Sequence, residues 1–79
     1  MTADKMFVEL GYKKIADNGK TMIYQQIYEE DSVTKTITFY TRDHDITIET
    51  YVEDDPLMIT LSVAELQAIM AKIKELGWE

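Results

Sequence analysis

The 79 residues are those of an α+β domain: an antiparallel meander sheet of four or five strands, with an N-terminal and a C-terminal helix packed on one face. At both ends of the chain apolar residues recur every three or four positions, as in helices with one buried stripe. Between them the period drops to two and β-branched residues crowd together, as in strands. The phrase Glu-Leu-Gly-aromatic is written twice, as Glu9-Leu10-Gly11-Tyr12 and Glu75-Leu76-Gly77-Trp78, each time where a helical pattern stops.

In "TADKMFVELGY" Thr2 can cap a short helix whose Met6, Phe7 and Leu10 share a face. Gly11 then stops the helix in a left-handed conformation, and Tyr12 folds back onto its last turn. Tyr12 to Asp17 and Lys20 to Glu29 are expected as paired strands, joined by a tight turn centred on Asn18-Gly19.

"VTKTITFYT" and "ITIETYVE" form the next hairpin, around a two-residue turn at Asp43-His44. That turn sets Tyr40 opposite Thr47, Thr38 opposite Glu49 and Thr36 opposite Tyr51. Ile37, Phe39, Ile46, Ile48 and Val52 then face the core. "DDP" interrupts the chain before a last extended piece, "LMITL".

The closing segment, "LSVAELQAIMAKIKELGW", opens with a capping box. Ser62 and Glu65 each satisfy a free N–H at the helix start, and Leu61 and Leu66 stand where a hydrophobic staple forms. Leu66, Ile69, Met70, Ile73 and Leu76 make the expected buried stripe. Gly77 and Trp78 repeat the stop and aromatic latch of the first helix.

A chain of this length is one domain, residues 1–79. It has no cysteine, so neither disulfides nor a thiolate metal site can staple it. No cofactor is expected. Eight Lys and Arg stand against fifteen Asp and Glu, giving a net charge of −7. This excess disfavours direct binding of nucleic acid or of an anionic membrane, and permits a basic protein partner. No apolar run is long enough to span a bilayer and the amino terminus has no export pattern, so a cytoplasmic location is expected.

Two surfaces are candidates for binding. Carrying the pairing across the second strand places Tyr24 and Tyr28 beside a row of threonines, on the same side as Tyr40 and Tyr51, giving four tyrosines on an open sheet face. Tyrosine offers large contact area with few rotors to freeze, although tyrosine and threonine are also ordinary strand formers. The second candidate is an acidic pole. The turns carrying Glu29, Glu30 and Asp31 and carrying Glu53, Asp54 and Asp55 should emerge at one end of the sheet, for solubility or to dock a basic partner. Asp43, His44 and Asp45 are adjacent, but neighbours in a hairpin point in different directions, so they make a poor metal or acid–base set. The single serine is taken by the cap and the three glycines by turns and stops.

The opener "MTADKMFVELGYKK", the "DNG" hairpin and the closing "ITLSVAELQAIMAKIKELGW" resemble short acidic proteins that recur in phages and prophages of Gram-positive bacteria. The resemblance implies an accessory gene of a mobile element, and it transfers no catalytic residue. The expected function is a non-enzymatic protein-interaction module, an inhibitor or polyanion mimic directed at a basic host protein. The alternatives are a self-associating homodimer, or a small-molecule sensor or small enzyme with a pocket between sheet and helices.

Overall fold

The computed structural model describes residues 2–30, 32–53, 55–56 and 60–78. Helix α1 spans Ala3–Glu9, with the Thr2 side chain accepting from the Lys5 N–H. Helix α2 spans Val63–Leu76 behind the complete Ser62–Glu65 capping box. The repeated phrase ends both helices with the same hydrogen bonds. Gly11 and Gly77 sit at φ 91° and 72°. The Tyr12 N–H donates to the Phe7 carbonyl at 2.9 Å, and the Trp78 N–H to that of Ile73 at 3.1 Å. Each glycine N–H closes the last turn three residues back, on Val8 and on Lys74. Each aromatic then returns to the core.

The sheet has four full strands, β1 (Lys13–Asp17), β2 (Thr21–Tyr28), β3 (Val33–Tyr40) and β4 (Asp45–Val52), paired antiparallel in sequence order. Among the described residues beyond β4, Asp55–Pro56 pairs opposite Val52 and Tyr51. Residues 57–59 of the expected last extended piece lie outside the described residues; Thr60 and Leu61 are irregular.

Turn chemistry shifts the expected pairings. The first hairpin centres on Gly19-Lys20 rather than Asn18-Gly19: the Asn18 N–H donates to the Thr21 carbonyl. The Asn18 side chain braces the turn by accepting from the Lys20 and Thr21 N–H groups at 3.0 and 2.9 Å. In the β3–β4 hairpin Tyr40 pairs with Asp45, Thr38 with Thr47 and Thr36 with Glu49. Each partner lies two residues from the expected one, so the loop is longer while every side chain keeps its face.

The β2–β3 pairing overturns a face assignment. Tyr28 pairs with Val33 and Tyr24 with Ile37, so Tyr24 and Tyr28 lie on the helix-bearing side, and Ile23, Gln25 and Ile27 join the threonines outside. The four positions from Glu29 to Ser32 make an even-numbered connection, and a slip of one residue reverses a whole strand.

The core lies between this sheet and both helices. Phe7, Tyr24, Ile37 and Phe39 are its largest fully buried side chains. Phe7 stacks on the Tyr24 ring at 4.3 Å, and Phe39 meets both rings edge-on. The Tyr24 hydroxyl donates to the Asp4 carboxylate. Ile46, Ile48, Ile73, Leu76 and Trp78 pack around the rim.

Helix α2 is rotated from its apolar stripe. It buries Glu65, Ala68, Ile69 and Lys72, while Val63, Leu66 and Met70 are 73%, 47% and 60% exposed. The buried charges account for this rotation, since each has partners beneath the helix. Glu65 accepts from Lys35 at 2.9 and 3.1 Å and from the Tyr12 hydroxyl, and Lys72 lies 3.0 Å from Asp4.

Candidate functional site

The helix-free face of β2–β4 is built in rows across three strands. Ile27, Thr34 and Tyr51 form one row; Gln25, Thr36 and Glu49 form the next. In each row a short threonine on the central strand stands between longer neighbours, which leaves a trough. A concavity of about 420 Å³ opens there, lined by Gln25, Ile27, Ser32, Thr34, Thr36, Tyr51 and Glu53.

Ser32 and Glu53 belong to the two turns at this end of the sheet, and the Glu53 N–H donates to the Ser32 carbonyl at 3.1 Å. The expected convergence of these turns therefore holds for their described residues. Glu29, Glu30 and Glu53 are exposed. Asp31 and Asp54 lie outside the described residues, as does the side chain of Asp55.

Of the four tyrosines expected on the open face, Tyr40 and Tyr51 are there, both half-buried. The Tyr51 hydroxyl donates to Glu49 at 2.8 Å, and this bond to a carboxylate raises its pKa. The Thr47 hydroxyl stands 3.5 Å from that of Tyr40. Tyr24 is a core residue, 1% exposed, and cannot contact a partner without unfolding. Tyr28 is 52% exposed on the helix-bearing side.

Thr34 and Thr36 stand on the open face as expected, but Gln25 and Ile27 beside them were missed because Tyr24 and Tyr28 were assigned to that side of β2. The competing signal was Met22 and Tyr24 in alternate positions, equally apolar. Ile27 is 57% exposed and forms the wall opposite Tyr51.

The charge of the face is one-sided. The outward positions of β2, β3 and β4 on this side include Asp45 and Glu49 and no lysine or arginine. Lys13, on edge strand β1 opposite Gln25, stands outside the concavity. Lys14, Lys35 and Lys72 are committed to carboxylates: Lys14 to Asp4 and Asp17, Lys35 to Glu65, Lys72 to Asp4 and Glu75. Hydroxyls, an amide, a phenol ring and a carboxylate can accept hydrogen bonds, stack, and neutralise a cation.

Elsewhere, a smaller concavity of about 190 Å³ lies between the helices, lined by Met6, Glu9, Leu10, Ala64 and Gln67. His44, at φ 58°, stacks on the Trp78 ring at 4.7 Å and so belongs to the C-terminal latch. Among the described residues no group of three His, Cys, Asp or Glu is placed to hold a metal ion. Among the same residues no helix is long and apolar enough to cross a membrane. Comparisons with protein-family models, curated proteins and solved structures give no match.

Proposed function

We propose that this chain is a non-enzymatic protein-interaction module whose helix-free sheet face and acidic end together receive a basic segment of a partner protein. The observation that carries this reading is the position of the concavity, which runs from Thr34, Thr36 and Tyr51 on the face into Ser32 and Glu53 at the acidic turns. The tyrosine face and the acidic pole thereby become one surface. Carboxylates around an aromatic wall, with no cation inside among the described residues, favour a positively charged partner and steer its approach. In the phage or prophage setting that the sequence resemblance implies, the module would act in the cytoplasm by blocking or redirecting a basic host protein.

Affinity capture from a bacterial lysate, followed by calorimetry with the purified partner, tests this. Tyr51→Ala and Glu53→Gln should each weaken binding about tenfold, as for residues near the centre of an interface. Raising salt from 50 to 300 mM should weaken it as well. A captured partner whose affinity ignores both substitutions and salt would sink the proposal.

A second reading has its own support. Val63, Leu66 and Met70, at helical spacing, form an exposed apolar stripe on α2 suited to self-association. Light scattering across concentrations distinguishes it: a strict monomer excludes the homodimer.

A further inference from the structure

We infer that the concavity is a receptor for one arginine side chain of the basic segment, an inference that rests on the interaction reading above and specifies its chemistry. Adjacent strands are spaced about 4.8 Å apart, so Ile27 and Tyr51, flanking Thr34 from the two neighbouring strands, stand roughly 10 Å from each other. That gap admits one extended aliphatic chain or one planar group. Thr34 and Thr36 form its floor, and Glu53 and Ser32 close the acidic end.

The walls and floor match the three parts of an arginine. The methylene stem covers Ile27, which is otherwise 57% exposed. The guanidinium plane lies along the Tyr51 ring, whose hydroxyl donates to the Glu49 carboxylate, leaving the ring face richer in electron density. The fork of N–H groups meets acceptors. These are the Glu53 carboxylate, the threonine hydroxyl oxygens and the amide oxygen of Gln25, whose Nε2 is turned to Thr36 at 3.4 Å.

Competing occupants fit less well. An apolar plug would strip water from the Thr34 hydroxyl and the Glu53 carboxylate and offer them no donor in return. An anion would face Glu53 and Glu49, and no cation lines the concavity among the described residues. A lysine could reach Glu53 but would lack the planar fork and the stacking surface.

The test is an amide-resolved NMR titration of the folded protein with blocked Gly-Arg-Gly peptides, alongside peptides with citrulline or lysine in place of arginine. The arginine peptide should shift the Ile27, Thr34, Thr36, Tyr51 and Glu53 amides with roughly millimolar affinity, the scale expected of one small contact. Citrulline, isosteric but uncharged, should bind about tenfold more weakly, and lysine should fall between them. Thr34→Lys, which installs a cation in the floor, should abolish the shifts. Tyr51→Ala should weaken them about fivefold, and it serves alone should Thr34→Lys prove unfolded.

Equal binding of citrulline and arginine, or shifts confined to Glu29 and Glu30, would overturn the inference. A twelve-residue arginine- and glycine-containing peptide separates the two levels. If it binds the wild type and Thr34→Lys alike, while Glu53→Gln and added salt still weaken it, the arginine receptor fails and the interaction reading survives. If it does not bind the wild type at all, both fail.

Discussion

Gly11 and Gly77 show how a single position can be read from sequence and still differ in cost. Both hold left-handed backbone at a helix stop, where a side chain costs about 1–2 kcal/mol. Around Gly77 nothing lies within 4 Å of an added Cβ, whereas at Gly11 that atom would stand 3.3 Å from Nε2 of Gln26. The Gln26 amide is itself committed to the Leu10 carbonyl. Gly77→Ala should therefore lower stability by about 1 kcal/mol, a fall in Tm of roughly 4–8 °C in a domain this small. Gly11→Ala should cost more. Paired thermal melts check the order, and equal melting temperatures would refute it.

At the level of elements, the two helix ends and the alternation of β3 and β4 were legible because each is fixed locally, by a cap, a glycine or a run of β-branched residues. The facing of β2 was not. Ile23 and Ile27 compete there with Met22 and Tyr24, and the Glu29–Ser32 connection alone decides between them. The rotation of α2 was hidden for a related reason: a hydrophobic count treats Glu65 and Lys72 as surface, although partners on other elements bury them. Half of the tyrosine face was misplaced in consequence, and the trough with its Ile27 wall depends on that same parity. The rotation has a measurable result. Ile69→Ala should destabilise by about 3 kcal/mol through the cavity it leaves. Leu66→Ala and Met70→Ala should each cost less than about 1 kcal/mol. Denaturant midpoints measure all three, and a Leu66 penalty equal to that of Ile69 would place Leu66 in the core.

For the molecule as a whole, stability should fall on both sides of neutrality. Burial pushes the Asp4 carboxyl up, but hydrogen bonds from Tyr24, Lys72 and Lys14 outweigh it and bring the pKa from 3.8 to about 2. Burial likewise pushes the Glu65 carboxyl up, but hydrogen bonds from the Tyr12 hydroxyl, the Ser62 N–H and Lys35 outweigh it and hold the group below its ordinary 4.5. The unfolded chain therefore takes up these protons first, so stability present above about pH 4.5 is lost as the pH falls through that value toward 2. Burial, then bonds to Glu65 and Asp4, raise Tyr12 and Tyr24 above their ordinary 10.0, so stability also declines as the pH climbs past 10. Urea midpoints at pH 7, 3 and 11 should be highest at 7; a flat profile would contradict the ionic contacts. The Ala3 N–H donates to Glu75 at 2.7 Å, and Asp4 meets Lys72. The opening helix is thus docked on the closing one. During synthesis the sheet must wait with its greasy side only partly covered until α2 has left the ribosome, and only then can the two helices clasp and the domain settle.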